Sequence, residues 1–202
     1  FENAITGVMA TGGSTNAVLH LLATAHDYGV ELAIDDFDRI SRKTPVLADL
    51  RPWGTYTAPE MYDAGGMPVV GKRLLEAGLL HADEQTVSGR TLGQEIAAAK
   101  EPAGQVVIKP LAQPLKIEGG LAILRGNLAP GGCVIKISGQ TKKLHRGPAR
   151  VFEREEDAFQ AIKDGQIKPN DVMVLRYEGP MGGPGMPEMQ LVTGALESSS
   201  LG

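Results

Sequence analysis

The sequence predicts an α/β protein in which a helical first half is followed by a β-rich, barrel-like or sandwich-like half with one helix. Three observations predict this organisation. Between residue 1 and about residue 102, apolar residues recur at helical spacing between glycine stops. From about residue 105 onward, short alternating runs are typical of strands. The Pro- and Gly-containing stretch at 101–104 indicates a linker between the two halves.

Four helices are predicted in the first half. The segment after Asn16 has helical apolar spacing and should end at Gly29, where glycine can adopt a left-handed C-terminal conformation. Thr91 and Gln94 form a capping box at the start of the last predicted helix. The four predicted ranges are 17–28, 35–41, 67–77 and 92–100.

The second half has five predicted strands and one helix. The helix runs from Glu155 to Asp164, with Ala158, Phe159 and Ile162 on its buried face and Gly165 closing it. The predicted strands are Val106–Lys109, Leu121–Arg125, Cys133–Ser138, Ala149–Phe152 and Val172–Tyr177.

Composition narrows the classes of function. The chain has 202 residues, 42% hydrophobic and 22% charged, as in ordinary soluble proteins. The net charge is −4 and the basic residues are scattered, so the sequence predicts no nucleic-acid partner. No apolar run is long enough to span a bilayer, and the first residues do not resemble a signal peptide. We therefore expect a cytoplasmic protein that does not act at a membrane.

The cysteine count and the two chain ends carry further expectations. A single cysteine, Cys133, excludes an internal disulfide framework and a multi-cysteine metal site. Within its apolar run it is expected to be a small core residue. The chain begins in mid-pattern at Phe1 and stops at Gly202 without a polar tail, so we expect it to be a fragment of a longer protein.

The first candidate site is the glycine-flanked turn before the first predicted helix. Ser14, Thr15 and Asn16 follow Gly12 and Gly13, so the free N–H groups of a helix start could bind a carboxylate or phosphate. Flanking glycines would let a ligand approach the backbone. The alternative is that these residues only cap the helix, as most such residues do.

A phosphate-binding loop is not supported. Residues 66–72 match that motif until its last position, where Arg73 stands in place of the Ser or Thr that would bind magnesium. The segment before it does not resemble a buried strand. We therefore treat the match as accidental.

The second candidate is Glu188, in a run at 179–189 of which seven residues are Gly or Pro. Ordering such a backbone costs roughly 1–2 kcal/mol per residue, so a fixed shape would indicate a purpose. Pro187 at a first helical position would place Glu188 in the first turn. There it could stabilise the helix dipole, or it could be an oxygen ligand for a hard cation. The four histidines form no metal-binding pair, and His145 is expected on a solvated loop.

Several stretches together resemble the dihydroxy-acid and phosphogluconate dehydratase family. They keep the family's order over nearly the whole chain, and their set is more specific than any single one. The stretches are FENA, TGGSTNAVLHLLA, DDFDRISRKTPVLADL, EAGLLH, EGGLAILRGNLAPGG, HRGPARVF, EEDAFQAI and YEGPMGGPGMPEM. Within the family, the chain looks more like the branched-chain dihydroxy-acid dehydratases in the stretches DDFDRISRKTPVLADL and YEGPMGGPGMPEM.

The resemblance implies a lyase that converts a 2,3-dihydroxy-carboxylic acid into a 2-oxo acid in valine and isoleucine biosynthesis. It implies an iron–sulfur cluster as Lewis acid, magnesium that holds the substrate, and a serine base, in a homodimer. Glu188 falls where the family has a magnesium ligand. Ser14, Thr15 and Asn16 are expected to contact substrate. The cluster cysteines and the other magnesium ligands are expected upstream of this chain and the base downstream, so the chain alone should hold no catalytic residue and be inactive.

The resemblance also assigns domains and leaves alternatives open. Residues 1–102 would close the cluster-bearing α/β domain, and residues 105–202 would form an incomplete β-barrel-like C-terminal domain. A sugar-acid or phosphogluconate dehydratase is the first alternative, and a non-catalytic β-barrel interaction module is the second. Trp53, where the family is expected to have a small residue, and Ser198-Ser199-Ser200 depart from the pattern.

Overall fold

A computed structural model describes residues 1–137, 144–179 and 189–199. The chain divides into two compact units, Phe1–Gln140 and Thr141–Gly202. Mixed α/β structure, as predicted, is confirmed. The described residues contain two sheets of two strands each, and neither closes into a barrel. Within the same residues, no helix combines the length and apolarity needed to cross a membrane.

The first unit contains six helices and one antiparallel strand pair. The helices are α1 (Glu2–Ala10), α2 (Asn16–Asp27), α3 (Ile34–Ser41), α4 (Ala58–Asp63), α5 (Gly66–Glu76) and α6 (Leu92–Ala97). Strands β1 (Leu121–Leu124) and β2 (Cys133–Lys136) pair in a register that sets Leu121 against Lys136 and Leu124 against Cys133. The predicted capping box is confirmed, since the Thr91 hydroxyl accepts from the Gln94 N–H at the start of α6.

Two apolar clusters hold this unit together. The first joins α1, α2, α3 and β1, with Ile5, Met9 and Phe37 almost fully buried at its centre. The second packs α5 against the extended segment at 46–50, where Leu47 and Val70 are inaccessible to solvent. Burying a side chain of this size contributes roughly 1.5–3 kcal/mol. Helix α1 belongs to both clusters through Met9 and Ala10, so it is the central element of the unit.

The second unit is a β–α–β arrangement with an added helix. Strands β3 (Ala149–Phe152) and β4 (Val172–Leu175) are parallel, and α7 (Glu155–Lys163) connects them. Helix α8 (Gln190–Ser198) packs on α7. As predicted, Ala158 and Ile162 are buried, and Phe159 packs partly buried beside them.

Three sequence expectations are corrected here. Val106–Lys109 is not a strand: only Ile108 makes an isolated bridge, to Ala48. Pairing with the segment at 47–49 is limited to that bridge and two backbone hydrogen bonds, from the Asp49 N–H to Val107 O and from the Lys109 N–H to Leu47 O. The Gln105 side chain bonds both the N–H and the C=O of Ile108, at 2.9 Å each, so a second strand cannot pair through these groups. Cys133 is exposed rather than in the core, because its neighbour Val134 is the residue of β2 that packs inward. The helix considered to begin at Pro187 instead begins at Gln190, as α8, and helices α1 and α4 were not predicted.

Candidate functional site

Glu188, the predicted magnesium ligand, lies outside the described residues, as does most of the Gly- and Pro-rich run around it. Its role therefore stays a prediction from the sequence. The other predicted site residues, Ser14, Thr15 and Asn16, are described. They belong to the α1–α2 junction, by which we mean residues 11–16.

The junction begins as the end of α1. Gly12 is buried, has φ +59°, and donates its N–H to Met9 O, while the Gly13 N–H donates to Val8 O at 2.9 Å. This pair of bonds is the Schellman motif, in which a left-handed glycine satisfies the last carbonyls of a helix. The sequence pattern predicted these glycines only as the start of α2, whereas they also end α1.

Ser14 and Thr15 lead into α2, which begins at Asn16 with Thr15 as its N-cap. The Ser14 hydroxyl accepts the Asn16 N–H at 3.2 Å, and the Ala17 and Val18 N–H groups donate to the carbonyls of Ser14 and Thr15. Ser14 is exposed and Thr15 partly so. Because several N–H groups at this helix start already donate within the turn, the hydroxyl groups are the better candidates for contact with a ligand.

Trp53 occupies the space that Gly12 leaves. A Cβ placed on Gly12 would lie 2.7 Å from Cζ2 and Nε1 of the indole, closer than any real contact. The glycine thus admits an aromatic ring of the same chain, where a ligand was expected. Nothing in the sequence pattern connects these two distant positions.

A charged cluster joins α1, α3 and the segment after α5. Arg39 donates to Glu2 Oε1 and to Asp36 Oδ1, both at 2.7 Å, and His81 Nε2 lies 2.7 Å from Glu2 Oε2. The hydrogen bond from Arg39 is the main cause that lowers the pKa of the Glu2 carboxyl below its ordinary value of 4.5, and that from His81 adds to it. The Asn3 side chain and the His81 backbone exchange two further bonds. The cluster is structural, because its groups satisfy one another.

Arg73 fixes the segment that the sequence indicated as a linker. Its side chain is only 12% exposed and donates to Ile108 O at 2.7 Å and to the Glu101 carboxylate. Gln105 donates to the same carboxylate at 2.6 Å. The position that excluded a phosphate-binding loop therefore has a structural role. The loop itself is also excluded, because residues 66–76 form helix α5.

The first unit has an apolar cavity of about 410 Å³ between α1, α5 and α6. Its walls include Met67, Leu74 and Ile96. Glu95, at its edge, already accepts from the Ser88 hydroxyl. The cavity therefore offers apolar contact and no uncommitted carboxylate.

An iron–sulfur cluster does not fit this chain's own residues. Such clusters are held by several thiolates, and Cys133 is the one cysteine of the sequence. Across the described parts of the chain, His, Cys, Asp and Glu nowhere gather in a group of three or more that could hold a metal ion.

Comparison with known proteins identifies the family. The model described as dihydroxy-acid/6-phosphogluconate dehydratase N-terminal matches residues 1–95, and the corresponding C-terminal model matches residues 106–202. A dihydroxy-acid dehydratase of Thermus thermophilus is 59% identical over the whole chain. Those of Koribacter versatilis and Roseiflexus castenholzii are each 57% identical, over 99% and 100% of the chain.

The same relatives are much longer than this chain, which covers 37%, 35% and 36% of their respective lengths. The two family models follow each other in order, with only residues 96–105 between them. On these grounds the chain belongs to the dihydroxy-acid/6-phosphogluconate dehydratase family.

Proposed function

We propose that this chain is part of a dihydroxy-acid dehydratase, a hydro-lyase that converts 2,3-dihydroxy-carboxylic acids into 2-oxo acids in valine and isoleucine biosynthesis. One observation carries the proposal: identity of 55–59% to proteins of that name extends over essentially the entire chain. An identity so high and so continuous favours this activity over a non-catalytic interaction module.

The substrate class is the point at which the family itself is divided. Its models cover both dihydroxy-acid and 6-phosphogluconate dehydratases. The similar relatives described above are all dihydroxy-acid dehydratases, which favours a short branched dihydroxy acid over a sugar acid.

For cofactors we propose magnesium and an iron–sulfur cluster. The magnesium proposal rests on Glu188, which falls where the family is expected to have a magnesium ligand, since a carboxylate oxygen is suited to a hard cation. The cluster would supply a Lewis acid for the departing hydroxyl group. With one cysteine in this chain, its thiolate ligands would come from elsewhere in the longer protein. We place the base serine there too, so this chain alone would be inactive.

For substrate contact we propose Ser14, Thr15 and Asn16. The exposed Ser14 hydroxyl and the partly exposed Thr15 lie at the positive end of a 12-residue helix, which favours a carboxylate. The substrate is itself a carboxylate, so the chemistry is complementary. The alternative role is capping alone, in which case removing the Ser14 hydroxyl changes stability and leaves substrate affinity unchanged.

We also propose the domain organisation and assembly that the resemblance implies: a cluster-bearing domain ending near residue 102, a barrel-like domain from residue 105, and a cytoplasmic homodimer. The division between the two family models at residues 95 and 106 supports the boundary. The boundary between the two compact units falls at a different place in the sequence, after residue 140. Strand pairs β1–β2 and β3–β4 both follow residue 105, which supports a β-rich domain.

The experiment that tests the activity uses the longer protein that contains this chain, purified without oxygen. We expect its kcat/KM for 2,3-dihydroxy-3-methylbutanoate to exceed that for 6-phosphogluconate and arabinonate by more than about 100-fold, because side-chain pockets discriminate strongly when polar groups are left unpaired. A preference for either sugar acid would replace the proposed substrate. No turnover of any of them by cluster-loaded protein would reject the enzymatic proposal.

The experiment that tests Glu188 is the Glu188→Gln variant of the same protein. The variant keeps the shape of the side chain and removes a charge from the ligand set. Because the loss of a residue that only hydrogen-bonds a metal ligand already has a large effect, we expect activity to fall on the order of 100-fold. Iron content should stay at the wild-type level. Glu197→Gln, at an exposed position of α8, is the control and should retain activity. Wild-type turnover of Glu188→Gln at ordinary magnesium concentration would reject the ligand role.

A further inference from the structure

The loop at 49–56, which carries Trp53, is fixed by its own hydrogen bonds. The Asp49 carboxylate accepts the Thr55 N–H at 2.9 Å, the Tyr56 N–H donates to Asp49 O at 3.0 Å, and the Arg51 N–H donates to Tyr56 O at 2.8 Å. Gly54 also lies so close to Asp49 that a Cβ there would collide with its carboxylate oxygen. The loop is therefore a closed structure that holds its tryptophan in one place.

This loop and the α1–α2 junction share an anchor. Ala10, the last residue of α1, accepts the N–H groups of both Leu47 and Ala48 at 2.8 and 3.2 Å. Ala10, Leu47 and Ala48 are all fully buried. Ala10 thus fixes the segment that leads into the Trp53 loop beside the segment that leads into the junction. At the far end of the loop, the indole packs against Gly12.

We infer that Trp53 is a positioning residue: by packing on Gly12 it holds the α1–α2 junction, and through it the Ser14 and Thr15 hydroxyls, in the orientation that binds substrate. The inference rests on the proposed substrate role of that turn and adds a residue that the turn itself does not contain. The physical reason is that a left-handed glycine has the widest conformational freedom of any residue, and a packed ring removes that freedom. Without the indole, the polypeptide between two helices could sample other conformations.

The test compares Trp53→Phe with Trp53→Ala in the longer protein. Trp53→Ala should raise KM for the dihydroxy acid about tenfold, which corresponds to about 1.4 kcal/mol. It should change kcat and iron content by less than about twofold, because Trp53 does not touch the reacting atoms. Trp53→Phe keeps an aromatic ring on Gly12 and should restore KM to within about twofold of wild type. If Trp53→Ala does not fold, Trp53→Leu replaces it with the same expected direction.

A double-mutant cycle with Ser14→Ala shows whether Trp53 acts through the junction. Ser14→Ala should raise KM by itself, and Trp53→Ala should then raise KM by less than it does in the wild-type background, because only Thr15 is left to be positioned. If Ser14→Ala leaves KM unchanged, the proposed substrate role of the junction fails. If Ser14→Ala raises KM and Trp53→Ala does not, only the positioning role fails. Full additivity of the two effects on KM also overturns the positioning role. So does a rise in KM that comes with a loss of kcat and iron and that Trp53→Phe does not rescue.

Discussion

At the scale of single residues, Gly12 serves two purposes at once. Its positive φ ends α1, and its missing side chain makes room for the Trp53 indole. Gly29 offers a natural comparison: it has a similar φ of +65°, but a Cβ added to it would meet no atom within 4 Å. The two glycines therefore separate backbone strain from steric contact.

Alanine at these two positions should have unequal effects. Gly29→Ala should lower the free energy of unfolding by about 1–2 kcal/mol, the cost of a left-handed non-glycine residue. Gly12→Ala should cost a further 1–3 kcal/mol or so, because the indole must also move. Urea denaturation followed by the emission of Trp53, the chain's one tryptophan, measures both. Equal losses would mean that the ring does not contact Gly12 in solution.

At this scale the sequence predicted the chemical roles of single residues, but not which distant residues of the chain contact one another. The Ser14 hydroxyl accepts the Asn16 N–H just before α2, although the N-cap of this helix is Thr15 and has no side-chain cap bond. The contacts between Gly12 and Trp53 and between the Ser41 hydroxyl and Leu121 O depend on tertiary packing between distant segments, for which a single sequence has no signal.

At the scale of elements, two polar ties hold helices to other segments. The Glu2 cluster joins α1, α3 and residue 81 at the surface, and the Arg73 tie joins α5 to residues 101–108 at a largely buried site. An exposed ion pair contributes little, whereas a buried charge with several hydrogen bonds is costly to lose. We therefore expect different responses from the two ties.

The Glu2 tie should weaken only in acid. The hydrogen bond from Arg39 is the main cause that lowers the folded-state pKa of the Glu2 carboxyl. The stability that this carboxylate adds is therefore complete above the ordinary pKa of 4.5 and is lost as pH falls through the folded-state pKa. The difference in unfolding free energy between wild type and Glu2→Gln should be below about 1 kcal/mol at pH 7, because the side chain is 43% exposed. Denaturation curves between pH 3 and 7 measure it. Exposed Glu31→Gln is the control, and a difference that grows toward acid pH would contradict the expectation.

The Arg73 tie should not tolerate lysine. Two different nitrogens of Arg73 donate to Ile108 O and to the Glu101 carboxylate, and lysine has a single one, so we expect Arg73→Lys to lose about 1.5–3 kcal/mol of unfolding free energy. Arg42→Lys, at a side chain that is 69% exposed and paired with Asp38, should cost less than about 0.5 kcal/mol. Thermal or urea denaturation of both variants checks this. Similar small losses would show that the tie is not needed.

Helical and strand periodicity predicted most elements, and the failures have physical reasons. Helix α1 contains Thr6 and Gly7 and α8 contains Thr193 and Gly194, so intrinsic propensity argues against both until packing compensates. Helix α4 has only six residues, too few for a periodic signal, and the signal that marks its start is the capping box of Thr57 and Glu60, of the same kind that predicted the equally short α6. Around Ile108 the composition favours a strand, but a single bridge to Ala48 forms, and the Gln105 amide bonds the Ile108 groups through which a second strand would pair.

At the scale of the whole molecule, one cysteine limits what the chain can bind. The 202-residue chain, after anaerobic reconstitution with iron and sulfide, should contain no stoichiometric cluster and remain colourless, because clusters need several thiolates. In the longer protein, Cys133→Ser should leave iron content unchanged, since this exposed thiol is not among the expected ligands. Visible absorbance with stoichiometric iron in the 202-residue chain would refute the prediction.

The contact between Gly12 and the Trp53 ring has a consequence for evolution. A larger residue at position 12 is sterically compatible only with a smaller one at position 53, so the two positions should covary among homologous chains. Sequences with serine or glycine at position 53 lose this steric reason to keep glycine at position 12, and there only the left-handed backbone still selects for it. Evolution that starts from this sequence should therefore substitute position 53 before position 12.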